Sequence, residues 1–210
     1  MIVAAEARAA RIPDPPPPTR RLTFRRWDIH SDTDRLAYFL MFADPAVVRY
    51  IDPERRYPSV AAMTDMLAKD PPFDRWGYGF WVVSLRASGE IVGTCGFKRR
   101  DMQVTADPDE HVSVDEFGYL YKRKFWGQGL ATEAAQAVTQ WADAAGIEQL
   151  WARVIAENIP SVRVLQGTGF TYVQDGPPCP EGRELILVRN AQAVTSSEVT
   201  FTAAGNPAAS

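Results

Sequence analysis

The order of elements along the chain predicts a mixed αβ (α+β) fold. Three observations carry this. Residues 78–85 and 90–97 are rich in β-branched and aromatic side chains and are joined by Ala87-Ser88-Gly89, the pattern of a hairpin. Leu130, Ala134, Val138, Trp141 and Ala145 recur at spacings of four, four, three and four, which lays one apolar stripe along a helix. Strand and helix patterns then alternate toward the C-terminus.

Taken in order, the first strand is expected at 22–27, with Leu22 and Phe24 on one face. Ser31 or Asp32 can cap a helix whose buried face is Leu36, Phe39 and Leu40. Asp44-Pro45 reads as a second N-cap followed by a first-turn proline. Ser59 caps a third helix carrying Ala62, Met63, Met66 and Leu67, and Pro71-Pro72 stops it. After the hairpin, the polar run 99–110 is expected as a loop and 112–121 as a strand. The striped helix begins after Gly127 and ends at Gly146. A strand at 150–156, a short helix at 160–166 and strands at 170–173 and 184–188 follow.

A chain of 210 residues suits one domain, here a body at 21–190. Residues 1–20 are rich in Ala, Arg and Pro, and Pro15 to Pro18 are unbroken, which favours an extended, solvated backbone. Residues 191–210 show little period and few bulky side chains, so both ends are expected to be disordered tails. Lys plus Arg number 23 against 26 Asp plus Glu, a net charge of −3 that excludes a generally basic nucleic-acid binder. Cys95 and Cys179 lack metal-ligand spacing, so no metal is expected, and free thiols suit a reducing cytoplasm. No apolar run approaches the roughly 20 residues of a membrane span. The expected location is cytoplasmic, with no membrane partner.

The chemistry is concentrated between Glu116 and Ala134: a strand, the basic turn Lys122-Arg123-Lys124, then Gly127-Gln128-Gly129 and a helix. Glycines at a helix start let a ligand approach the backbone closely. The free N–H groups and positive end of the helix attract an anion, typically phosphate. The Gly-Lys-Ser/Thr of a P-loop and the third glycine of a dinucleotide fold are both absent. Taken alone, this Gly-x-Gly reads first as the plain start of a helix beside a solvated basic loop.

Lys124-Phe125-Trp126-Gly127-Gln128-Gly129 resembles the Arg/Gln-x-x-Gly-x-Gly/Ala signature of the GNAT acyltransferases, with Lys at the first position. Asn158-Ile159-Pro160-Ser161 resembles the Asn-x-x-Ser run of that family, and Gly169-Phe170 its closing Gly-Phe. Glu116-x-Gly118-Tyr119 together with Trp126-Gly127-Gln128-Gly129 resembles the RimJ/RimL-like branch, named for acetyltransferases of ribosomal-protein N-termini. The resemblance spans about 21–190. It implies a central, mostly antiparallel twisted sheet flanked by helices, acetyl-CoA as cosubstrate, and direct acetyl transfer to a primary amine. The implied acceptor is a protein or peptide N-terminal α-amine.

The same resemblance implies roles for particular residues. The amides of Gly127, Gln128, Gly129, Leu130, Ala131 and Thr132 would cradle the pyrophosphate, with Lys124 and Trp126 in the same loop. The strand edge at Tyr119, Leu120 and Tyr121 would pair with the pantetheine arm, and Asn158 would bond that arm from the neighbouring strand. An α-amine titrates near about 8 and a lysine near about 10.4, so the acceptor arrives protonated. Glu116 is expected to take that proton directly or through water, with a solvated strand-edge acid as the plain alternative. Asp115 points to the opposite face of a regular strand. Ser161 matches the serine offered near the sulfur; capping the helix is the plain alternative. No tyrosine lies between Asn158 and Phe170, where many family members place one.

Arg49, Tyr50, Arg55, Arg56, Tyr57 and Trp76 fall where the family builds its acceptor cleft; ion pairs and packing are the plain reading. Lys98-Arg99-Arg100 reads as a solvated strand end within reach of a 3′-phosphate. His30 and His111 are isolated. Two other readings stay open: a small-molecule amine (antibiotic, polyamine or amino acid) as acceptor, or an acyl-CoA-binding sensor without turnover. Monomer and homodimer are both compatible with the sequence.

Overall fold

The structure is a computed structural model that describes residues 15–51, 57–69, 77–103 and 111–192. Strand β1 (Leu22–Arg25) leads into helices α1 (Asp32–Ala43), α2 (Pro45–Val48) and α3 (Val60–Lys69). Strands β2 (Phe80–Leu85), β3 (Ile91–Gln103) and β4 (His111–Tyr121) form a meander. Helix α4 (Leu130–Ala144), strand β5 (Gln149–Ile155), helix α5 (Ile159–Gly167) and strands β6 (Thr171–Asp175) and β7 (Glu184–Asn190) complete the order. The strands make one seven-stranded sheet in the order β1-β2-β3-β4-β5-β7-β6. Every neighbouring pair is antiparallel except β4 and β5.

Alternation along β4 divides the molecule into two faces. Phe117 and Tyr121 join the large core under α4 and α5, while Leu120 packs with Met41, Phe42, Val47 and Val48 of α1 and α2. Trp141 anchors α4 to the sheet through edge contact with Trp81 at 5.6 Å and a tilted contact with Phe97 at 5.9 Å. The expected caps form: Ser31 accepts from the Asp34 N–H, and Asp44 accepts from the Ala46 N–H ahead of Pro45 in the first turn. Gly146, at φ 72°, turns the chain out of α4.

Helix α1 lies differently from expectation. Leu36 and Leu40 are 50% and 51% exposed, and the buried apolar residues are Ala37, Met41 and Phe42. The cause is Asp34. Its buried carboxylate accepts two bonds from Arg25 at 2.5 and 2.6 Å and one from the Asp28 N–H at 2.9 Å. A charge that must stay paired turns its own side of the helix toward β1, over the competing leucine face.

Within the run expected as a loop at 99–110, residues 99–103 are strand. Pairing of β3 and β4 continues from Lys98↔Glu116 to Gln103↔His111. Met102 and Val114 are buried with Ile186 and half-buried Trp151, which supplies the apolar support that local composition conceals. Residues 104–110 lie outside the described residues, as do Arg55, Arg56, Trp76 and most of the expected tails. At the N-terminal side the packed body reaches back beyond residue 21, since Pro16 is buried.

The C-terminal strand is tied to the helical layer by a buried ion pair. Arg189 is 4% exposed and meets Asp143 of α4 with two bonds, at 2.7 and 2.6 Å, and its Nε donates to the Thr168 carbonyl at 3.1 Å. Removing one partner strands a buried charge. Asp143→Ala is expected to lower unfolding free energy by about 3–5 kcal/mol in urea titrations. Asp143→Leu with Arg189→Met should recover most of that loss; equal losses in the single and double variants would contradict the ion-pair account.

Candidate active site

Strands β4 and β5 run side by side and parallel, yet their register holds only Glu116↔Trp151. Beyond that pair they part, and residues 117–121 of β4 keep partners only on β3. The opening is a cleft of about 450 Å³. Tyr38, Phe42 and Tyr50 line one side of it, and Asn158 and Ser161 line the other.

The floor is a chain of alternating charges, one from each of four adjacent strands. Arg100 of β3 bonds Glu116 of β4 at 2.7 Å, Arg153 of β5 bonds Glu116 at 3.0 Å, and Arg153 reaches Glu184 of β7 at 3.5 Å. Burial alone would push the Glu116 carboxyl up, but Arg153 and Arg100 outweigh it and hold it below the usual range. Glu184 goes the other way. Burial raises its carboxyl, the attraction of Arg153 offsets this only in part, and repulsion from Glu116 and Glu181 adds to it. Two carboxyls that share one arginine are thereby pushed apart in proton affinity.

At the far end of β4 the chain turns through a short 3₁₀ segment, Arg123–Phe125, into the glycine loop. Gly127 and Gly129 both sit at φ 72°, a conformation open to glycine and costly for most other residues. Gly129 is the N-cap of α4 and has no side chain to satisfy the helix end. The first N–H to bond back is that of Glu133, to the Gly129 carbonyl at 3.1 Å, so the amides of Leu130, Ala131 and Thr132 precede the intrahelical ladder. Trp126 Nε1 donates to the Tyr121 carbonyl at 2.8 Å, and Gln128 Nε2 to the Lys124 carbonyl at 3.0 Å. The Lys124 ammonium pairs with Glu90. These bonds shape the loop. An exposed strand edge beside an uncapped, glycine-led helix start suits an extended amide arm ending in phosphates.

The other residues singled out from the sequence fall as follows. Asp115 faces away from the cleft, where it accepts from the Tyr78 hydroxyl at 2.5 Å and pairs with Arg99 at 3.2 Å. Asn158 is the N-cap of α5, without a side-chain capping bond. Ser161 lies inside the first turn, so the cap assigned to it belongs to Asn158, while its backbone carbonyl accepts from the Tyr119 hydroxyl at 3.3 Å. Burial pushes the Tyr119 phenol up to about 12, so it remains a hydrogen-bond donor at neutral pH. Lys98 and Arg100 line the cleft, Arg100 remaining exposed, and Arg99 belongs to the opposite face. Arg49 stacks on Tyr50, and Tyr57 packs edge-on against Phe42. His30 and His111 are exposed. Cys95 and Cys179 are free, no described cluster of His, Cys, Asp and Glu is placed to hold a metal, and no described helix is long and apolar enough to cross a membrane.

Sequence reasoning missed Arg153 and Glu184. The available signal was a charge amid the apolar run Leu150-Trp151-Ala152-Arg153-Val154-Ile155, and an acid at the head of Glu184-Leu185-Ile186-Leu187-Val188. A charge inside a buried strand needs a partner, but its address depends on sheet order.

A parted pair of parallel strands leading to a glycine-led helix makes a cleft in which an extended arm ending in phosphates can lie. Residues 21–171 match the acetyltransferase (GNAT) domain, and the chain belongs to that family. It is an acetyl-CoA-dependent N-acetyltransferase. An uncharacterized N-acetyltransferase, p20, from Bacillus licheniformis is 28% identical over 155 residues, covering 72% of this chain and 80% of the relative. At the level of fold, the chain resembles the ribosomal-protein-S5-alanine acetyltransferase of Vibrio fischeri, with TM-score 0.66, 16% identity and coverage of 85% and 97%. It likewise resembles the spermidine N-acetyltransferase of Vibrio cholerae, solved with CoA and spermine, with TM-score 0.64, 13% identity and coverage of 82% and 97%.

The raised Glu184 carboxyl has a consequence for stability. The folded chain keeps this proton at pH values where the unfolded chain has lost it. Its stabilising contribution is therefore full below the ordinary Glu value of about 4.3 and is lost as pH rises through the raised one. Glu184→Gln should match wild type near about pH 4 and gain on it progressively toward neutrality. Melting temperatures across that range check this, and a pH-independent difference would refute it.

Proposed function

We propose that this acetyltransferase acts on the N-terminal α-amine of a protein or peptide, in the manner of the RimJ/RimL-like branch. The observation that carries the reading is the charge of the cleft. Among the described lining residues, Lys98, Arg100 and Arg153 stand with two carboxylates, Glu116 and Glu184, and Tyr38, Phe42, Tyr50 and Phe80 contribute apolar surface. An excess of one cation among the described lining residues, supplied by Lys98 beside the balanced floor, disfavours a polyamine, which brings several ammonium groups. A peptide N-terminus brings one ammonium, followed by carbonyls that can accept from cations and side chains that can pack on rings. The solved relatives with the same fold include enzymes named for ribosomal-protein and spermidine acetylation, so the fold leaves this choice to the cleft.

Acetyl-CoA supplies an activated acetyl group and a thiolate leaving group. The glycine-loop amides and those of Leu130, Ala131 and Thr132 would hold its phosphates. The free edge of Tyr119, Leu120 and Tyr121 would take the arm as an added strand, with Asn158 bonding from the far side. Glu116, held ionised by its two arginines, receives the acceptor ammonium. The proton passes to Glu116, directly or through water. Ser161, on the first turn of α5, offers a hydroxyl to the departing sulfur.

Thiol release from acetyl-CoA across N-terminal peptides, polyamines, aminoglycosides and free amino acids tests this. Peptides should turn over best. Glu116→Gln should cut kcat by about 10²–10⁴-fold while coenzyme A binding persists. A preference for polyamines would overturn the acceptor assignment. Coenzyme A binding with no turnover on any amine would favour a sensor.

A further inference from the structure

The start of α4 is gripped from outside by the segment ahead of β1. Thr19 Oγ1 donates to Glu133 Oε1 at 2.6 Å, and the Arg21 backbone N–H donates to the same oxygen at 2.9 Å. Arg21 Nε donates to Glu133 Oε2 at 2.5 Å. Arg21 Nη1 donates to the Gln128 carbonyl, between the two left-handed glycines, at 2.9 Å. The remaining guanidinium nitrogen, Nη2, lies 3.6 Å from where a Cβ on Gly129 would sit.

Glu133 makes this arrangement necessary. A carboxylate in the first turn suits the helix dipole, but it opposes any anion bound at the same helix end. Burial would favour its neutral form, but the bonds from Thr19 and Arg21 outweigh that and hold it ionised. A cation placed between Glu133 and the loop relieves that opposition and favours an anion at the helix start. Arg21 occupies that place, and its fork spans both partners, which an ammonium cannot do from one position.

We propose that Arg21 belongs to the site that holds the coenzyme A phosphates. It offsets the charge of Glu133, fixes the Gln128 carbonyl and presents Nη2 above Gly129. The segment from Pro16 to Arg21, whose Pro16 is buried, is then a strap of the binding site. This inference rests on the reading of residues 127–132 as the phosphate site.

The test measures coenzyme A binding by calorimetry, alongside KM for acetyl-CoA and for S-acetylpantetheine, which lacks the phosphates. Wild type should bind coenzyme A far more tightly than pantetheine. Arg21→Ala should weaken coenzyme A about tenfold and raise KM for acetyl-CoA in step, with the S-acetylpantetheine KM unmoved. Adding Glu133→Gln to Arg21→Ala should recover about threefold by removing the exposed repulsion. If Arg21→Ala proves poorly folded, Arg21→Lys gives the same reading at a smaller loss, about threefold. Unchanged coenzyme A affinity, or equal losses on both thioesters, would overturn the role of Arg21. A wild type that does not distinguish coenzyme A from pantetheine would instead overturn the phosphate site itself.

Discussion

The single register pair between β4 and β5 is the constraint on which the rest of this molecule depends. A sheet that stays zipped has no free internal edge. One that parts near its middle exposes backbone donors and acceptors, which must find a partner or stay wet. The parting is held open from both faces. Leu120 is fixed under α1 and α2, while Phe117 and Tyr121 are fixed under α4 and α5. Helix α5 spans the gap, with the Tyr119 hydroxyl on one of its carbonyls. Neither strand can close on the other without dismantling the packing on one of its faces.

At the foot of the parting, the four strands β3, β4, β5 and β7 each contribute one charge. Arg100, Glu116, Arg153 and Glu184 follow the order of the sheet, so neighbours always carry opposite sign. The cost of desolvating these groups is met when the chain folds, so their mutual orientation is fixed by the sheet. The asymmetry within the row has a simple origin. Glu116 lies between two arginines, whereas Glu184 has one arginine on one side and Glu181 contributing repulsion.

Some of this was legible in the residues. The striped helix, its glycine-led start and its stop at Gly146 announce themselves by period and by residue type, because the forces that set them act within a few residues. The wrong face of α1 and the missed extension of β3 into residues 99–103 have the opposite cause. The first turns on an ion pair from Arg25 to Asp34, and the second on Met102 meeting Ile186, a residue far along the chain. Glu116 could be found from its place in a motif. Arg153 and Glu184 could not, since nothing local says that β7 lies beside β5. Thr19 was hidden for a further reason: a proline-rich composition reads as a tail, and only Glu133, more than a hundred residues later, shows what Thr19 and its neighbour Arg21 dock on.

Strand β4 places Asp115 and Glu116 side by side in sequence and on opposite faces in space. One carboxylate belongs to the core-side bond with Tyr78, the other to the cleft. Because side chains alternate with a period of two, the strand has no intermediate setting. Adding or deleting one residue between its two anchored ends would exchange the faces of both acids and bring Phe117 out with them. In evolutionary terms, this segment is free to vary in the kind of side chain it carries and closed to variation in length. Family members descended from a common ancestor should differ here by substitution, with insertions and deletions collecting in the turns on either side.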